Sequence, residues 1–303
     1  MTLRIGINGG GGHGHIDDAI AHARGAHEDG FPAYWLSQIF GVDALTALAL
    51  IAREVSEIEL GVAVVPTYPR HPVALAVQAQ TVQQAANGRL VLGIGPSHAP
   101  AVEGMWGLDW SRPYSHTAEY LEIVRDLLDG KAVQHAGELI TARGQLSAAA
   151  PPTPILVAAL GPRMLALAGE QADGTVTWMC GLKTLESHIV PRVREAADRA
   201  ARPAPRIVAG LPLCLTDEPE RARAYAAEKL ALYGAMPSYR AMLDREGAEG
   251  PADICLIGDE AEVGEGLDQL AAIGVTDLRA TELDPSPEDR TRTRAFLRSR
   301  LES

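Results

Sequence analysis

Two short clusters carry residue types that could hold an anion. Gly161-Pro162-Arg163 has the composition of a helix start, with proline in the first turn and a cation beside it. The free amides and dipole of a helix start attract phosphate. Gly95-Pro96-Ser97-His98 follows an apolar run and could complete a phosphate cradle, His98 touching the phosphate or donating a proton. The same residues also suit a plain tight turn, with Arg163 paired to a surface acid. A third cluster runs from Gly9 to Gly14, with His13 and His15 set in or beside it. It lies between a strand and a helix, but its glycine register is ambiguous and the expected ribose-binding acid about 20 residues on is lacking. A glycine loop over a barrel mouth, with His13 or His15 touching substrate, fits better. No Ser-His-Asp order, H-E-x-x-H, Walker loop or close carboxylate pair stands out. Hydrolysis and metal chemistry therefore lack their usual equipment, and no metal site is expected.

Clusters rich in glycine and backbone amides suit a reaction carried by a bound planar cofactor. Their positions depend on residues 59 to 98. Leu60 to Val65 reads as a buried strand, and Pro66, Pro69 and Pro72 end it. Val73 to Ala86 has helical spacing, Asn87-Gly88 stops it, and Arg89 to Gly95 is a second buried strand. This is one parallel βαβ unit.

The rest repeats that pattern. Strands are expected at Leu3–Asn8, Phe31–Leu36, Pro154–Leu160, Gly174–Cys180, Arg206–Leu215 and Val275–Ala280, with helices between them. Eight strands alternating with helices in 303 residues predict a single-domain (β/α)8 barrel, which typically needs about 250. Pro96–Thr153 and Asp217–Gly274 are too long for barrel loops and read as insertions after strands four and seven. The second should hold helices near Pro219–Tyr233 and Ala261–Ile273. Sites in such barrels lie at the carboxyl ends of the strands. Those ends offer Asn8 and His13, Ser37 and Gln38, Val64 and Val65, Gly95 to His98, Leu160 to Arg163, and Trp178 and Met179.

With 27 basic against 39 acidic residues the net charge is −12, which argues against nucleic acid or an anionic membrane as the main partner. No apolar run of about 18 residues and no basic leader is present, so neither a membrane span nor a signal peptide is expected. Cys180, Cys214 and Cys255 are scattered in apolar runs and fit reduced thiols of a cytoplasmic protein. His71 should hold the strand-three loop by a hydrogen bond, and Lys183 suits a solvated position.

Pro66-Thr-Tyr-Pro-Arg-His-Pro72 and Asn87-Gly-Arg-Leu-Val-Leu-Gly-Ile-Gly95, followed by Ile155-Leu-Val-Ala-Ala-Leu-Gly-Pro-Arg163 and Ala168-Gly-Glu-Gln-Ala-Asp-Gly174, resemble the luciferase-like flavin-dependent oxidoreductases. Arg70-His71-Pro72 and the Gly95-Pro96-Ser97-His98 exit are most similar to the branch using the deazaflavin coenzyme F420. The resemblance implies cofactor contacts from Ala63, Val64, Gly95, Pro96, Ser97, His98, Ala159, Leu160, Gly161, Pro162 and Arg163. It also implies a bulge, often with a cis peptide, at Ala63-Val64 beneath the cofactor's middle ring. His13, Gln38 and Trp178 are candidates for the substrate pocket, and no catalytic residue is assigned. Where alcohol dehydrogenases of this kind have an Asp-His pair, this chain has Gln38 and Ile39, and Ile39 cannot take a proton. The implied activity is hydride transfer from F420 to an activated C=C, C=N or C=O of a small organic substrate. An FMN-dependent monooxygenase using oxygen, or a non-catalytic barrel subunit, are the alternatives. The resemblance also implies a homodimer packed through helices of the N-terminal half, such as the apolar helix 44–55.

Overall fold

The alternation of strand and helix closes into a ring. A computed structural model describes residues 2–301. The chain opens with β1 (Arg4–Gly10), α1 (Ile16–Glu28), β2 (Ala33–Leu36), α2 (Ala44–Glu54), β3 (Glu59–Pro66), α3 (Pro72–Ala85) and β4 (Leu90–Gly95). The first insertion holds α4 (Ala99–Val102), α5 (Pro113–Leu128) and a hairpin of β5 (Val133–Ala136) and β6 (Thr141–Gly144). Then come β7 (Ile155–Ala158), α6 (Pro162–Gln171), β8 (Gly174–Trp178), α7 (Leu182–Thr184), a π turn, α8 (Val190–Arg199) and β9 (Arg206–Leu215). The second insertion holds α9 (Pro219–Ala235), α10 (Pro237–Glu246), a 3-10 turn, β10 (Leu256–Gly258) and α11 (Glu260–Ile273), before β11 (Asp277–Glu282) and α12 (Pro287–Ser299).

Among the described residues, eight parallel strands pair in chain order, β1-β2-β3-β4-β7-β8-β9-β11, and β11 returns to β1. β10 is a short extra strand against the far end of β9. The architecture is the expected (β/α)8 barrel with its insertions after the fourth and seventh barrel strands. Several bounds shift by one or two residues: β1 runs to Gly10 and the last strand to Glu282, while β7 ends at Ala158 and β8 at Trp178. The second insertion also holds α10 and the short strand β10 beyond the two helices expected there.

Local chemistry sets the helix ends. Asp43 accepts from Thr46 N at 2.9 Å to cap α2. His71 caps α3 through Nδ1, and its Nε2 donates to Thr141 O at 3.0 Å, tying the β3–α3 loop to the hairpin. Asp259 and Glu262 form a reciprocal capping box on α11.

The barrel interior is layered. At the amino-terminal end, Arg206 Nε donates to Asp277 Oδ2 at 2.9 Å and Nη2 to Glu59 Oε1 at 2.6 Å, while Arg4 also bonds Glu59 and Asp277. Above this ionic plug, Trp35 packs with Ala33, Val91, Leu156, Val176 and Val208. Trp35 needs a neighbour without a side chain: a Cβ on Gly61 would sit 2.0 Å from its ring. The larger core lies between barrel and helices.

The plug should contribute far more than surface pairs do, because stranding a desolvated arginine costs more than losing a screened contact. Asp277→Asn should lower stability by about 3 kcal/mol in urea melts. Glu54→Gln, which removes the exposed Arg24–Glu54 pair, should cost under about 1 kcal/mol. Equal melts would show that the plug contributes nothing special.

Candidate active site

The mouth is built around an irregularity in β3. Its register against β4 shifts between Val62 and Val65, and the Ala63–Val64 peptide is cis. β4 yields room through glycines. A Cβ on Gly93 would lie 2.2 Å from Val62 O, and one on Gly95 would lie 2.9 Å from Ala158 Cβ and 3.0 Å from Val64 Cγ2. No other residue type fits there without moving backbone.

A chain of polar groups fixes the displaced peptide. Ser37 Oγ donates to Ala63 O at 2.9 Å and accepts from Arg279 Nη1 at 3.1 Å. The same Nη1 donates to Asn8 Oδ1 at 3.1 Å, and Asn8 Nδ2 donates to Thr281 Oγ1 at 2.8 Å. β1, β2, β3 and β11 are thereby joined at one level. Arg279 is only 4% exposed and sits 5.1 Å from the Trp178 ring. Burial pushes its pKa down to about 10, so it stays charged at neutral pH.

The second insertion supplies an aromatic wall. Tyr233 meets Trp178 edge-on at 5.7 Å and Tyr239 at 5.4 Å, and Tyr239 lies 5.2 Å from the His98 ring. Ser238 Oγ is 3.5 Å from His98 Nδ1. Glu246 anchors the far end by accepting from Lys183 N and Thr184 N. Burial raises the Tyr239 phenol well above its usual range and lowers the His98 imidazole. Both are therefore neutral near pH 7.

β4 and β7 are paired neighbours, so their exits, Pro96–His98 and Ala159–Arg163, emerge side by side. Ser97 adopts a positive φ of 62°, and Trp110 Nε1 donates to Pro96 O at 3.2 Å. At the β7 exit Ala159 is buried and Leu160 half-buried. His188 Nε2 holds Leu160 O at 2.8 Å; because Arg192 Nε donates to His188 Nδ1, the proton is on Nε2. Gly161 begins α6 with no side-chain cap, leaving the first-turn amides open, and a Cβ on it would meet nothing within 4 Å. Exposed Arg163 lies 4.0 Å over the Tyr114 ring rather than against an acid.

The structure separates the pocket candidates. Trp178 is part of the mouth. Gln38 instead turns outward, its Oε1 accepting from Ala44 N at 2.8 Å as a second cap of α2, and Ser37 takes the inward position. His13 lies 5.9 Å from His22, whose Nδ1 meets Tyr34 Oη at 3.2 Å, so it packs in the layer outside the barrel. The glycine loop is tied to the β2–α2 connection by Gly41 N to Gly11 O and Val42 N to His13 O. Arg279, Tyr233, Tyr239 and His188 had not been singled out; a charge at alternating spacing inside the last strand was the one signal available for Arg279. Among the described residues no three potential metal ligands gather, and no helix is long and apolar enough to cross a membrane.

The fold is a closed (β/α)8 barrel with a glycine-relieved bulge at the third strand and open helix amides beyond the fifth, a class that many families share. Within it the chain belongs to the luciferase-like monooxygenase family, whose sequence profile matches residues 2–277. It is 28% identical over 216 residues to a 5,10-methylenetetrahydromethanopterin reductase of Methanolobus tindarius, covering 70% of this chain and 66% of that protein. It is 33% identical over 153 residues to the reductase of the same name from Archaeoglobus fulgidus, covering 50% of this chain and 46% of that one. The match thus spans less than two thirds of either relative. The coenzyme F420 dependent tetrahydromethanopterin reductase of Methanopyrus kandleri superposes with a TM-score of 0.82 at 21% identity, over 99% of this chain and 98% of that one. Monooxygenase RslO1 of Streptomyces bottropensis gives 0.81 at 20%, over 99% of both. At such identities the structural likeness establishes the fold.

The layer that receives His13 makes a pH prediction. Arg294 Nη2 lies 3.4 Å from His22 Nε2, and burial, then Arg294 and His13, lower the His22 pKa from 6.5 to about 4. The unfolded chain binds that proton near 6.5, so the stabilisation is complete above pH 6.5 and lost as pH falls toward 4. The loss should approach about 3 kcal/mol at most. Urea melts at pH 7 and pH 4.5 should show a shallower pH slope for His22→Gln than for wild type; identical slopes would exclude His22 as a source.

Proposed function

We propose that this chain is an oxidoreductase using coenzyme F420 to reduce an activated C=C, C=N or C=O of a small organic molecule. The observation that carries this reading is the backbone-built cradle at the adjoining exits of β4 and β7, where uncapped amides of α6 face open space beside Gly161. The names of the relatives support it, as two are methylenetetrahydromethanopterin reductases and one similar structure is described as coenzyme F420 dependent.

The residues present fit such a cofactor. The amides of Arg163 and Met164 would receive its phosphate, with Ser97 and His98 alongside. The Ala63–Val64 main chain, with Ala159 and Leu160 opposite, would support the ring system. When bound and reduced, the deazaflavin supplies a hydride. The chain's part is positioning and exclusion of water. Trp178, Tyr233 and Tyr239 wall off the mouth, Arg279 with Ser37 fixes the bulge, and Tyr239 Oη keeps its proton across the neutral range. The FMN-dependent monooxygenase reading stays as a second, because a monooxygenase superposes about as well. The three free cysteines suit a reducing, cytoplasmic setting. A homodimer through α2 and α3 is part of the proposal, since Leu50 is 46% and Val77 50% exposed on these neighbouring helices. Light scattering should give twice the monomer mass of 32.1 kDa.

Fluorescence titration with F420 and with FMN at one salt concentration tests the cofactor. F420 should bind more tightly, and more weakly as salt rises, because its tail is anionic. Gly161→Leu should fold, its φ of −78° suiting any residue, yet lose F420 binding. Arg163→Ala should weaken it by about 1–3 kcal/mol. Tighter FMN binding with oxygen-dependent turnover would favour the monooxygenase, and no binding of either would favour a non-catalytic barrel.

A further inference from the structure

Two arginines stand inside the barrel, and the chain treats them differently. Arg206, at the bottom, is neutralised by Glu59 and Asp277. Arg279, toward the mouth, is only 4% exposed, yet among the described residues it makes no ion pair. One of its nitrogens, Nη1, is taken up by two neutral oxygens, Asn8 Oδ1 and Ser37 Oγ. Its Nε is buried and makes no hydrogen bond. The groups near it are neutral: the Trp178 ring at 5.1 Å, and the Tyr233 and Tyr239 phenols brought in by the second insertion. Its register is fixed, because Asp277, Arg279 and Thr281 alternate on the interior side of β11, Asp277 in the plug and Thr281 bonded to Asn8 at the mouth. Rotation onto the outer face would bury the charge among apolar helices. A desolvated guanidinium without a counter-charge is costly, and its persistence points to a ligand that completes it.

We infer that Arg279 is the receptor for a carboxylate on the substrate, so that the substrates of this mouth are small unsaturated or carbonyl compounds bearing a single planar oxyanion. The free Nε–H can enter a charge-assisted, side-on hydrogen bond that a carboxylate accepts and an amide matches poorly. The aromatic wall strengthens that bond by excluding water and accommodates a small planar group. Asn8 and Ser37 hold the guanidinium in place beside the Ala63 carbonyl, which puts the anchored anion next to the bulge. The inference rests on the mouth being the substrate site, as proposed above, and is independent of which cofactor occupies it.

The test is calorimetric titration of the whole chain, alone and with F420, by benzoate and by benzamide, two rings of the same shape differing in charge. Benzoate should bind about tenfold or more tighter than benzamide. Arg279→Met should erase the preference, and Arg279→Lys should keep part of it, a point charge lacking the planar fork. The benzoate preference is read on the chain alone and again with F420, so a change in F420 affinity that follows from releasing the bulge held by Arg279 and Ser37 does not enter the comparison. The side-chain Nε–H resonance that disappears in Arg279→Lys should shift on adding benzoate and not benzamide. Equal binding of the two probes, no binding of either, or a preference surviving Arg279→Met would overturn the inference. If Arg279→Met does not fold, the wild-type comparison and Arg279→Lys still decide. Failure of F420 to bind wild type would end the cofactor assignment while leaving the benzoate comparison intact.

Discussion

The mouth depends on a contact that works only because side chains are missing. Gly93 and Gly95 let the backbone of β3 bulge into β4, with the Val62 carbonyl and Val64 side chain occupying what would be Cβ positions. Without that space β3 would stay in ladder register and the Ala63 carbonyl would not meet Ser37. The polar chain Arg279–Ser37–Ala63 then replaces the ladder bonds that the register shift interrupts. Steric permission comes from β4, and enforcement comes from β2 and β11 on the other side.

The two ends of the barrel solve opposite problems. The lower end is sealed by mutual neutralisation of Arg4, Glu59, Arg206 and Asp277, and nothing there is left to react. Trp35 separates it from the mouth, filling the middle where Gly61 gives way. At the upper end the strands bring hydroxyl, amide and guanidinium groups, while the insertion after β9 brings rings. The scaffold uses its charge pairing for stability below and leaves unpaired polarity above, at the carboxyl ends of the strands.

Much of this was legible in the chain. Apolar runs broken by proline and glycine marked the strands, and the lengths of Pro96–Thr153 and Asp217–Gly274 marked both insertions. The helix at Pro237–Glu246 was not, because its composition is polar and its buried face is short, only Met242 and Leu243. Gln38 and Ser37 show a deeper limit. Adjacent residues at a strand exit face opposite ways, and a one-residue difference in register exchanges which enters the barrel. His13 fails for a related reason: a glycine loop can lay a side chain on either side of the wall. Arg279 could have been flagged, since Asp277, Arg279 and Thr281 interrupt a strand otherwise apolar at every second position. Their separate fates, in the plug and in the mouth, depended on partners 70 and more residues away.

The main-chain character of the bulge has a historical consequence. A support made of peptide groups is indifferent to most replacements of the side chains around it, provided the glycines beneath it and the Ser37 hydroxyl that holds it stay. The aromatic wall, by contrast, is carried by a long insertion joined to the barrel at a few points. A lineage built this way can trade one insertion for another and explore new chemistries at the rim while its foundation is inherited unchanged. Drift should therefore be confined to the rim, with Gly93, Gly95 and Ser37 as the slowest-moving positions in the barrel.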